Sequence, residues 1–122
     1  MAQAFSHEVL SGSTNGLGIK VTGTATGSSV TVHTAIAGTT SRDELWLWAY
    51  NDDADGETRT LAIEFGGTTD PDNVIRTPVA ARAGLVPILV GHPLRNTLVV
   101  KAFADEANDV ILYGHVNRVT VS

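Results

Sequence analysis

Most of this chain alternates apolar and polar side chains with a period of two, and the pattern breaks in one place. Ile19 and Val21, Val30 and Val32, and Leu61, Ile63 and Phe65 each place apolar side chains on one face of an extended segment. That is the signature of a strand with one buried face. The run from Asp43 to Tyr50 is apolar on both faces instead. Leu45, Leu47 and Ala49 point one way, and Trp46, Trp48 and Tyr50 point the other. Either this strand is central to a two-sided core or its aromatic face meets another chain.

Further extended segments are expected from Phe5 to Leu10, Val74 to Val79, Leu85 to Val90, Thr97 to Ala104 and Val110 to Val119. Their Val, Ile, Thr and aromatic content favours the pleated conformation. Pro78 and Pro87 lack an N–H and belong at strand ends or sheet edges. The run Asn51 to Glu57 reads as a turn, with Asp55-Gly56 supplying positive φ. It is expected to join Glu44–Tyr50 to Arg59–Phe65 in a long antiparallel hairpin, with Trp46 and Trp48 as core anchors that leave an edge for an interface. Gly91 to Asn96 reads as another turn. No segment carries the i, i+3, i+4, i+7 stripe of a long amphipathic helix. The expected fold is therefore all-β, an antiparallel β-sandwich of about seven to nine short strands, jelly-roll-like or immunoglobulin-like. An open barrel is the alternative. Residues 1–14 form a candidate extended N-terminal arm, and 15–122 a single sandwich domain.

A length of 122 residues is one ordinary domain, large enough to bury a core without staples. Cysteine is absent, which removes disulfides and thiolate chemistry. The formal charge of −5 argues against a general nucleic-acid binder. No stretch approaches the roughly 18 apolar residues of a membrane helix, and the start lacks the basic and apolar regions of a signal peptide. Charged residues make up 17% of the chain, against roughly 25% in an average globular protein. Such a low share suits an all-β surface or one partly covered by neighbours.

The search for chemistry turns up little. His7, His33, His92 and His115 fall in no metal-ligand spacing, and no Ser lies in a nucleophile elbow. Asn51, Asp53, Asp55 and Gly56 resemble the start of a calcium loop, but Ala62 stands where the bidentate Glu belongs. Asp70 and Asp72 read as a tight turn without a basic partner, and Glu57 and Arg59 as a surface pair. Arg76, Arg82 and Arg95 lie near expected loops, placed to meet acidic loops of a neighbouring subunit. No catalytic residue, metal or cofactor is expected.

The blocks from Glu44 to Asn51, Leu61 to Asp72, Pro93 to Ala104 and Gly114 to Arg118 resemble small capsid decoration, or cement, proteins of tailed bacteriophages. The resemblance spans about Glu44 to Val119. It implies a β-rich protomer, a trimer being favoured among homo-oligomers, on the outer capsid surface after synthesis in the host cytoplasm. The implied partner is the major capsid protein, with no direct contact to nucleic acid or membrane. The N-terminal arm, with Phe5, His7 and Val9, is then a candidate clasp, together with Arg76, Arg82 and Arg95. The same resemblance admits a head–tail connector or tail component. Outside the family, Trp46, Trp48 and Tyr50 suit a lectin-like carbohydrate or receptor module, and a small hydrolase built from distant loops is the third reading.

Overall fold

The computed structural model describes residues 2–122. Among these residues nine strands form two antiparallel sheets, consistent with a β-sandwich. The strands are β1 (Gln3–Val9), β2 (Ile19–Lys20), β3 (Val30–Thr34), β4 (Arg42–Asn51), β5 (Arg59–Phe65), β6 (Val74–Val79), β7 (Val86–Leu94), β8 (Val99–Ala104) and β9 (Val110–Val121). One sheet runs β1-β9-β4-β7, with β2 also on β9; the other runs β3-β8-β5-β6. A single 3₁₀ turn, Thr26–Ser28, is the helical element of the described residues.

The inner faces are aliphatic. Leu45, Leu47 and Ala49 of β4 meet Leu61 and Ile63 of β5, Val100 and Ala102 of β8, and Val110, Leu112 and Val116 of β9 in one buried cluster. β9 is the longest strand and has β4 along one side, with β1 and then β2 along the other. At its middle, Gly114 faces inward opposite Leu47. A Cβ there would lie 2.1 Å from the Trp46 carbonyl oxygen, so only glycine permits the close approach of β9 to β4.

The expected β4–β5 hairpin does not form. β4 pairs with β9 and β7, whereas β5 lies in the other sheet between β8 and β6. The loop between them crosses from sheet to sheet. It is built on its own polar side chains: Asn51 donates to the carbonyls of Glu57 and Val79, and the Asp53 carboxylate accepts from the N–H groups of Asp55 and Glu57. The bond to the Val79 carbonyl at the end of β6, and the bond that the Asn51 carbonyl accepts from the Arg82 N–H just beyond it, hold the crossing in place.

One further segment differs from expectation. Gly91–Leu94 continues β7 rather than turning; Gly91, at φ +80°, accommodates a register shift against β4 instead. β7 is a sheet edge, as Pro87 and Pro93 require. The segment expected as an N-terminal arm is extended, and Gln3 to Val9 pair along their whole length with β9.

Candidate functional site

The second apolar face of β4 is the outer face of the five-stranded sheet. Trp46, Trp48 and Tyr50 are half-buried there, whereas Leu45, Leu47 and Ala49 on the opposite face are fully buried. The expectation that the tryptophans anchor the deep core is therefore corrected. The inner space is filled by Leu45 and Leu47 against the second sheet, and strand parity sends the indoles outward.

Register then decides what shares that face. Across β4 and β9, Trp46 stands opposite His115, Trp48 opposite Tyr113, and Tyr50 opposite Ile111. On β1, Phe5, His7 and Val9 stand opposite Val119, Asn117 and His115. The rings interlock: His115 stacks on Trp46 at 6.3 Å and on Trp48 at 6.0 Å, the two indoles are 6.3 Å apart, and His7 lies 5.9 Å from His115. Around them Phe5 is 75% exposed and Val90 57%, with Val9 and Tyr113 also exposed. Next to the aromatic stack a depression of about 460 Å³ is lined by Phe5, His7, Arg42, Glu44, Asn117 and Val119 among others. Arg42 and Glu44 pair across it at 3.0 Å. The Asn117 Oδ1 and the Trp46 indole N–H are buried without hydrogen-bond partners. The face is broad, apolar and aromatic, and it is edged with polar groups, the composition found where proteins meet partners.

Of the residues singled out in the sequence, Phe5, His7 and Val9 come together with Trp46, Trp48 and Tyr50. The three arginines lie elsewhere. Arg76 on β6 forms a bidentate pair with Asp70, both bonds at 2.9 Å, so the Asp70 turn does have a basic partner. That bond to Arg76 holds the Asp70 carboxyl below its ordinary value. Arg82 bonds Asp52, which also accepts from the Tyr50 hydroxyl; this bond to a carboxylate raises the Tyr50 pKa. Arg95 reaches the Thr39 carbonyl. Arg59 pairs with Asp53 and Asp109 instead of Glu57. The side-chain oxygens of Asn51 and Asp53 are engaged in building the sheet-to-sheet loop.

A buried polar cluster escaped the sequence reading. Asp43, fully buried on β4, accepts from Arg118 Nε at 2.8 Å and Nη2 at 3.0 Å, and from the Ile36 N–H at 3.1 Å. His33 Nε2 lies 2.7 Å from the same carboxylate. The Ser11 N–H donates to His33 Nδ1, so the ring proton is on Nε2 and is donated to Asp43. This arrangement orders Ser11, His33 and Asp43, but it is not a nucleophilic triad. The imidazole nitrogen that would serve as base is occupied by the Ser11 backbone N–H, and the Ser11 hydroxyl accepts from the Thr34 N–H. The signal for the cluster was an acidic residue, Asp43, in phase with the inward leucines of β4.

No protein-family model, curated protein or solved structure matches the chain.

Proposed function

We propose that this chain is a non-catalytic virion structural protein that binds the outside of a phage capsid and ties neighbouring major capsid subunits together. The outer face of the five-stranded sheet is its docking surface. The observation that carries this reading is the continuous apolar and aromatic face formed by Phe5, Val9, Trp46, Trp48, Val90 and Tyr113. The resemblance in the blocks from Glu44 to Arg118 supplies the class of partner.

The mechanism is binding energy alone. Each large apolar side chain taken fully from water contributes about 1.5–3 kcal/mol, and a few such anchors dominate an interface. Exposed Phe5 and half-exposed Tyr113 on a rigid sheet lose little conformational freedom on docking. Because the ligand binds the assembled lattice and not its separated subunits, occupancy stabilises the lattice by mass action. The outer edge of β1, which no other strand of the described residues covers, is available for adding a strand to a neighbour's sheet. A trimer places three such faces around one lattice axis.

The test is a cryo-electron-microscopy reconstruction of particles assembled with the chain. Density at symmetric positions outside the shell, with this sheet against capsid subunits, is the expected result. Density in a tail or connector ring would assign the chain to those structures instead. Carbohydrate or receptor recognition is favoured by one observation, the Trp46–His115–Trp48 stack beside the depression holding Arg42, Glu44 and Asn117. Saturable binding on a glycan array, lost on Trp48→Ala, would establish that reading.

A further inference from the structure

The opposite sheet carries a separate feature. Glu64 on β5 is 1% exposed, and neither of its carboxylate oxygens has a hydrogen-bond partner. Asp43 and Asp53, the other buried carboxylates of the described residues, are heavily bonded. With Leu61 and Ile63 facing the core, parity puts Glu64 on the outer side of β5, between Val74 of β6 and Lys101 of β8. It lines a depression of about 230 Å³ together with Gly66, Gly67, Thr68, Leu98 and Lys101 among others. Lys101 is half-buried and directly across the strand pair, yet no ion pair joins it to Glu64.

A buried carboxylate with no partner is costly, and native proteins keep one only where something completes it. We infer that this cavity receives the cationic end of a lysine or arginine side chain from a partner protein, with Glu64 as its counter-ion. The apolar walls at Leu98 and Val99 suit the aliphatic stem of such a side chain, and the carboxylate at the floor suits its head. The overall charge of −5 favours approach of a basic group. This site lies on the other sheet from the aromatic face and stands or falls independently of it.

The test uses the full chain, ¹⁵N-labelled, titrated with N-acetyl-arginine amide and with its uncharged citrulline counterpart. The expected result is saturable shifts of the Gly66, Gly67, Thr68 and Lys101 amides, with the arginine probe about tenfold tighter than citrulline. Glu64→Gln abolishes that preference, and Lys101→Met, which removes the competing ammonium, strengthens it. If Glu64→Gln fails to fold, as read by near-ultraviolet circular dichroism, the comparison of probes on the native and Lys101→Met chains decides. Equal response to both probes, or no saturable shift in either chain, overturns the proposal.

Discussion

The imidazole of His33 on β3 and the carboxylate of Asp43 on β4 meet at 2.7 Å inside the sandwich, and they belong to different sheets. Arg118 of β9 closes the cluster from Asp43's own sheet. Sheets that pack through aliphatic side chains alone have no directional lock. Here one fully buried carboxylate accepts from His33, Arg118 and the Ile36 N–H, which ties the end of β3, the following loop, β4 and β9 to a single point. Asp43→Ala leaves Arg118 and the His33 ring N–H without an acceptor. Breaking a buried pair on one side costs about 3–5 kcal/mol. Urea unfolding of the variant is expected to show that loss with an unchanged slope; a loss below about 1 kcal/mol would mean that water replaces the carboxylate.

Acid should weaken the fold through the same residue. Burial raises the Asp43 pKa, but the hydrogen bonds from Arg118 and His33, together with the Arg118 charge, outweigh it and bring it below the ordinary 3.8. Asp53 is lowered too, chiefly by the Glu57 N–H, and Asp70 by Arg76. A carboxyl whose folded pKa lies below its unfolded one stabilises the fold above the unfolded value. That contribution is lost as pH falls through the folded pKa. The urea midpoint is therefore expected to decline on the acid side of about pH 4. Asp43→Asn should flatten this acid limb more than Asp70→Asn, because Asp70 and Arg76 are both about half exposed at the surface.

How much of this was legible depends on the range of the interaction. Strand identity is local, and the alternation at Leu61, Ile63 and Phe65 and in β9 marks the inner face correctly. Strand partnership is not local. The residues between Asn51 and Arg59 suit a hairpin turn and a sheet-to-sheet crossing equally well. What selects the crossing is Asn51 bonding Val79, 28 residues away. The placement of the tryptophans failed for a related reason. Size and apolarity suggest a core, but the core side of a strand is set by parity and by its partner sheet. Parity gives β4's inward positions to Asp43, Leu45, Leu47, Ala49 and Asn51. Glu64 was illegible because its position is an outward one, where a charged residue is ordinary, and alternation along β5 carries no signal of its burial.

The two faces of β4 and its neighbours should separate stability from binding. Leu47 is fully buried, and Leu47→Ala is expected to cost about 2–5 kcal/mol in chemical unfolding. Phe5 is 75% exposed on the edge strand, so Phe5→Ala should change stability by no more than about 0.5 kcal/mol. Under the proposed capsid docking, the same Phe5→Ala chain mixed with capsid shells should show weaker occupancy than the native chain by co-sedimentation. Full occupancy with Phe5→Ala and also with Tyr113→Ala would remove this face from the interface.

Gly114 offers the sharpest steric prediction. It stands inward on β9 opposite Leu47, and an added Cβ would come within 2.1 Å of the Trp46 carbonyl oxygen. That neighbour is backbone, held in the β4–β9 ladder, and it has no rotamer through which to yield. Overpacking a core usually costs about 1–3 kcal/mol, because side chains can adjust. Gly114→Ala should reach or exceed the top of that range, since relief requires β9 to move away from β4. The displaced strand also carries His115, so the Trp46–His115–Trp48 stack should loosen with it. Tryptophan fluorescence of the folded variant is expected to shift to longer wavelength as the indoles gain solvent. Gly91→Ala is the matched control. There an added Cβ would meet the Trp46 ring at 3.2 Å from the β7 side, and it would sit at φ +80°. It should disturb the indole while leaving the central β4–β9 pairing protected in amide exchange, whereas Gly114→Ala should lose that protection.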